Sequence, residues 1–181
     1  MLYCVRAFGD RVTRRLWQAL TAGLLLGLCA IAALAQPTTA GTAAVATPHW
    51  TEADIRASRV ETADAAALPY KPRWNADPMK LFVIVGAGDA HVWLVDGERF
   101  ETLHSFRGRG ALHGAPRFSP EGRFAYFGSR DGWISRYDLW NLRLVAEVRA
   151  GLELRHLAIS RDGRWLMAAH PQPPTLLLFD V

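Results

Sequence analysis

Ser119-Pro120-Glu121-Gly122-Arg123-Phe124 and Ser160-Arg161-Asp162-Gly163-Arg164-Trp165 are one turn written twice, 41 residues apart. Around them a second feature keeps nearly the same interval. Trp93-Leu94-Val95-Asp96, Ile134-Ser135-Arg136-Tyr137-Asp138 and Leu177-Leu178-Phe179-Asp180 are apolar strands that each close on aspartate, and the aspartates recur every 42 residues. A period of about 40–45 residues with four short strands per unit is the pattern of a β-propeller blade. A small blade sheet cannot bury both its faces alone, so blades pack on one another around a channel.

Working outward, Leu81–Val85 and His91–Asp96 read as strands and Thr102–Arg107 as a third. The Pro and Gly of the first turn stand where turn geometry wants them. Asp131-Gly132 is a strong hairpin signal between strands. The fold class is all-β. Residues 80–181 hold about two and a half repeats, whereas a closed ring takes about 4–8 blades. The expectation is therefore a truncated N-terminal part of about two to three blades, with an apolar edge left open.

The N-terminal residues differ in character. Arg11, Arg14 and Arg15 precede an uncharged apolar stretch from Leu20 to Leu34, and Ala33-Leu34-Ala35 supplies a small-x-small cleavage pattern. The stretch is shorter than the ~20 residues of a membrane span. Residues 1–35 are thus expected to be a signal peptide, with no transmembrane segment after cleavage and a periplasmic destination. Thr13-Arg14-Arg15-Leu16-Trp17 resembles a weak twin-arginine signal. Leu28 before Cys29 is too large for a good lipoprotein site, so anchoring is the lesser expectation. Residues 36–79, rich in Ala, Thr and Pro, read as a linker, poorly ordered or carrying a short helix. That helix is placed over Thr51–Ala67, with Thr51 as N-cap and Asp54 as its box partner.

The net charge of +4 owes much to the leader arginines, and no dense basic stripe follows, so no nucleic-acid partner is expected. The only cysteines, Cys4 and Cys29, lie in the leader. After its removal, disulfides and the Cys-x-x-Cys-His attachment of a c-type haem are excluded. No Gly-x-Ser-x-Gly, His-Glu-x-x-His or Walker sequence is present. His113 stands out among the histidines. It sits in an inter-strand loop among Gly110, Ala111, Gly114 and Ala115, which leave room for a flat ligand to approach the imidazole, a donor suited to iron. Arg130, just before the Asp131-Gly132 turn, offers a guanidinium fork that grips carboxylates. Arg155 falls 42 residues after His113, in the equivalent loop. Trp93, Trp133, Trp140 and Trp165 are expected in the core rather than against a cofactor.

Ala111-Leu112-His113, the run Phe118–Gly132, Tyr137-Asp138-Leu139-Trp140 and Val145–Gly151 together resemble the haem d1 domain of cytochrome cd1 nitrite reductase and the propellers of haem d1 biosynthesis. The resemblance covers about Leu81 to Asp180 and implies an eight-bladed propeller that binds haem d1. It makes His113 the proximal iron ligand, Arg130 a contact to haem carboxylates and Arg155 a family arginine. His170 stands where the reductase has a tyrosine and still offers a hydrogen bond. Ala87 replaces a haem-contacting arginine, and the distal histidines of the family belong to later blades. Three readings follow. One is a periplasmic haem d1 maturation protein that handles a tetrapyrrole alongside a c-type cytochrome or nitrite reductase. The second is a d1-type nitrite reductase domain fed by a separate cytochrome. The third is a non-enzymatic propeller platform. The first two imply oxidoreductase chemistry, so whether the chain is an enzyme stays open here.

Overall fold

The computed structural model describes residues 2–5 and 50–181, which fall in one compact unit. The elements are β1 (Leu2–Val5), α1 (Glu52–Ser58), β2 (Val60–Glu61), a 3₁₀ turn (Pro78–Lys80), β3 (Leu81–Val85), β4 (His91–Asp96), β5 (Glu101–Arg107), β6 (Arg117–Phe118), β7 (Phe124–Gly128), β8 (Trp133–Asp138), β9 (Arg143–Arg149), β10 (His156–Ile159), β11 (Trp165–Pro171) and β12 (Pro174–Asp180). They form three consecutive antiparallel sheets, ordered β3-β4-β5, β2-β9-β8-β7-β6 and β1-β12-β11-β10. These are blades of a β-propeller, as the repeat predicts. The apolar stretch and cleavage pattern of the expected signal peptide lie outside the described residues. Leu2–Val5 pairs along β12, with Leu2 opposite Phe179.

The central blade is enclosed on both faces, and its sequence is written accordingly. Every residue of β7 is buried. Phe124 and Tyr126 point to one side and pack with Leu157, Leu166, Ala168 and Leu177 of the third blade. Ala125 and Phe127 point to the other and pack with Val92, Leu112 and Tyr137 against the first blade. Tyr137 stacks on Phe106 with centroids 3.8 Å apart, and its hydroxyl lies 2.9 Å from His104 Nε2. Burial, with a smaller contribution from the neighbouring Asp138 charge, pushes this phenol up to about 12. Among the described residues the first blade has no such partner on its far side. Phe82 and Ile84 on β3 are 55% and 51% exposed, which is the open apolar edge expected from the sequence.

The repeated turn folds identically in both copies. Ser119 Oγ accepts from Phe124 N and Ser160 Oγ from Trp165 N, each at 2.9 Å. Gly122 and Gly163 take φ of +72° and +73°, a region that costs a side-chain-bearing residue strain. At Gly163 there is also little space, since a Cβ would lie 2.6 Å from Pro120 Cδ of the preceding blade. The period-42 aspartates anchor the neighbouring turns at the same end of the sheets. Asp96 Oδ1 accepts from the backbone of Glu98 and Arg99. Fully buried Asp138 accepts from Asn141 N and Nδ2, and its Oδ2 is paired with Arg123 Nη2 at 2.8 Å. Asp180 keeps a longer version of that pair, 3.6 Å from Arg164.

Residues 50–80 strap the central blade. Thr51 and Asp54 close the expected capping box, but the helix ends at Ser58 rather than running to Ala67, because Arg59 is already extended and the chain pairs with β9 as β2. Trp50 Nε1 donates to Arg149 O and Ser58 Oγ accepts from Arg149 N. Further on, Arg123 donates to Ala65 O, Asn141 to Pro69 O and Trp74 Nε1 to Leu139 O.

Replacing Asp138 with alanine leaves the Arg123 guanidinium buried without its counter-charge, which costs about 3–5 kcal/mol. Urea unfolding of the full chain is expected to show a loss of that size, and a loss below about 1 kcal/mol would mean that the pair does not anchor the turn.

Candidate functional site

Antiparallel meanders put successive connections at alternating ends of a sheet. The loops 86–90, 108–116, 129–132, 150–155 and 171–174 therefore share one end of the three blades, and the Ser-containing turns and aspartate anchors share the other. Ala87, His113, Arg130 and Arg155 all sit in the first set of loops, and His170 is on β11 at the same end. The alignment follows from parity of connection.

Three of the predicted residues converge. His113 N donates to Gly128 O at 2.9 Å, which fixes its loop against the end of β7. Its ring is half-buried, and Arg130 Nε donates to its Nδ1 at 3.4 Å. Arg155 lies across the blade boundary. With His113, Gly114, Ala115, Arg117, Leu154 and His156 it lines a recess of about 30 Å³. Gly114 has φ of +76°, and a Cβ there would meet nothing closer than Arg155 O at 4.0 Å, so the wall is open. Arg117 Nε donates to Leu157 O at 2.6 Å and ties β6 to β10 beneath the recess. Ala87 is exposed and adds no charge.

His170 is at the same end but not in the recess. Its ring is 6% exposed and turned into the blade, with Nδ1 2.5 Å from Glu153 O. With a carbonyl opposite, Nδ1 carries the proton, leaving Nε2 as a buried acceptor with no partner among the described residues. The sequence did hold a signal for this. Leu166, Ala168 and His170 share strand parity, and all three are buried. His156 is the residue that the sequence reading passed over. It directly follows Arg155, opens β10 and brings a second imidazole to the recess. Among the described residues no three His, Cys, Asp or Glu side chains cluster as metal ligands, so His113 and His156 do not belong to an all-protein metal cage.

A larger cavity of about 470 Å³ lies elsewhere, walled by Ile55, Tyr126, Val148, Leu166 and Phe179. It contains none of the candidate residues and marks where the second and third blades diverge at the rim beside α1.

Burial holds the His170 imidazole below the ordinary histidine range, outweighing the Glu153 hydrogen bond, and burial also lowers His104. Below about pH 6.5 the unfolded chain takes up protons at these sites that the folded chain refuses. Stability is thus fully present above that pH and falls as the pH drops. Urea midpoints at pH 7.5 and 5.5 are expected to differ in that direction, and His170→Asn to reduce the difference. An unchanged pH dependence in that variant would remove His170 from the cause.

The model of the family described as cytochrome D1 heme domain matches residues 76–181. The dihydro-heme d1 dehydrogenase of Pseudomonas aeruginosa is 55% identical over 133 residues, 74% of this chain and 27% of that protein. Protein NirF of the same organism is 32% identical over 101 residues, 55% of this chain and 26% of that protein. A solved structure of dihydro-heme d1 dehydrogenase NirN in complex with DHE superposes with a TM-score of 0.71 at 55% identity, over 74% of this chain and 28% of that one. The chain therefore spans about a quarter of the length of these relatives. The repeat, the three blades and a match across residues 76–181 agree, and the chain belongs to the cytochrome D1 heme domain family.

Proposed function

We propose that this chain contributes the proximal part of a haem d1-type tetrapyrrole site and acts in haem d1 maturation in the periplasm. The observation that carries the reading is the convergence of His113, Arg130 and Arg155 at one end of adjacent blades, beside open Gly114. Similarity to a relative named dihydro-heme d1 dehydrogenase supports it.

The donor set fits such a group. One imidazole is enough for an iron that a macrocycle already holds, and His113 offers it. Two guanidinium groups suit its peripheral carboxylates. The recess is too small for the macrocycle itself, so a flat ring would rest over it. In the present contact His113 Nδ1 accepts from Arg130, which leaves the ring proton on Nε2. For Nε2 to hold an iron, that contact would have to be released, and a carboxylate gripped by Arg130 would release it. Arg130 thus serves either the imidazole or the anion. When bound, the tetrapyrrole supplies the redox chemistry of its iron and ring. These residues hold it, orient it and neutralise its carboxylates.

If the protein serves a dehydrogenation, its two electrons must leave the site, and a c-type cytochrome or a nitrite reductase is the proposed partner that takes them.

Loaded with haem d1, the protein is expected to show an axial histidine signature in its absorption spectrum that His113→Ala abolishes, with retained blade structure by circular dichroism. An unchanged spectrum in that variant would take His113 out of the site.

A further inference from the structure

Loop 150–155 carries Arg155 to the recess, and it is held more tightly than an exposed loop needs to be. Ala150 N donates to Gly132 O at 2.7 Å and Arg155 N to Ala169 O at 3.0 Å. Between these points Leu154 is buried in the core, and one polar side chain holds the loop by a hydrogen bond. His170 Nδ1 reaches Glu153 O at 2.5 Å, and the ring lies so close to Gly151 that a Cβ there would be 2.6 Å from Nδ1. Glu153 in turn holds Arg155, with Oε1 2.6 Å from Nη2.

The other face of the imidazole needs an explanation. Nε2 is buried without a partner among the described residues, a cost that a leucine or phenylalanine in the same place would avoid. A polar ring at this position stabilises the structure only through its Nδ1–H, and that hydrogen goes to the loop. Burial keeps the ring neutral, with the proton on the nitrogen facing the carbonyl.

We propose that His170 is a positioning residue for the anion-binding arm of the site: it pins the Glu153 backbone so that the Glu153 carboxylate presents Arg155 to the recess already ordered. This rests on the reading that Arg155 meets a tetrapyrrole carboxylate. An arginine has five N–H donors, so the one turned to Glu153 leaves the others for an incoming anion. Ordering the long side chain beforehand lowers what binding must spend in rotamer entropy. His170 thus acts on affinity without touching the ligand, and only for ligands that bear the carboxylate.

The test uses the full chain and two probes, iron(III) protoporphyrin IX with its free carboxylates and the same iron porphyrin as its dimethyl ester, each titrated by absorbance. His170→Leu is expected to weaken binding of the free acid about tenfold, roughly 1.4 kcal/mol, and to leave the ester unchanged. His170→Asn, whose Nδ2–H can replace the lost donor, restores the wild-type value. In an Arg155→Gln background His170→Leu has no further effect. Should His170→Leu not fold, Glu153→Gln carries the same contrast between acid and ester. Equal weakening of both porphyrins, no weakening of either, or failure of His170→Asn to rescue overturns the positioning role. If the wild-type chain binds neither porphyrin, it is the tetrapyrrole reading itself that fails.

Discussion

A four-stranded sheet with two apolar faces has to be sandwiched, and the rest of the structure follows from that constraint. The central blade meets it by using both sides of β7, with Phe124 and Tyr126 buried against one neighbour and Ala125 and Phe127 against the other. No single-sided pattern would do, so the strand reads as a continuous apolar run rather than an alternation. Stacking blades this way fixes their relative orientation. Because each blade is an antiparallel meander, the orientation sends alternate loops to opposite ends. Function can then collect at one end without any strand having to change course.

Polar side chains decide where each strand stops. The aspartates of the 42-residue repeat satisfy turn N–H groups that the sheet ladder leaves over, as at Asp96 and Asp138. In the central blade the same carboxylate neutralises the buried guanidinium of Arg123, which also reaches back to the 50–80 strap through Ala65 O. Glu147 plays a comparable part nearer the other end, accepting from Ser135 and pairing with Arg109, whose guanidinium lies 3.6 Å over the Trp133 ring. Buried charge of this kind adds little net stability when paired and costs much when broken, so it specifies register more than it strengthens the fold.

The sequence made the blades legible because turn chemistry and strand-ending aspartates recur at a fixed interval and each has a local physical cause. It also made the shared end of His113 and Arg155 legible, since spacing by one repeat places residues in equivalent loops, and the Asp131-Gly132 turn signal put Arg130 beside a loop. It did not reveal which way His170 turns until its parity with Leu166 and Ala168 is set beside the fold, and that parity sends it inward to Glu153. The strap was harder still. Apart from the Thr51–Asp54 box, residues 50–80 carry no periodic pattern, and what holds them is Ile55 in the core, the carbonyls of Ala65 and Pro69 accepting from Arg123 and Asn141, and Trp74 donating to Leu139 O. Such contacts depend on a partner surface that a linear reading does not contain.

A crystal structure of the protein loaded with haem d1 tests most directly whether the common loop end is a tetrapyrrole seat. The expected result is density for the macrocycle over the Gly114 wall, with His113 on its iron and Arg155 at a peripheral carboxylate. Density in the rim cavity beside α1, or a macrocycle at the loop end whose iron stands away from every imidazole, would contradict it.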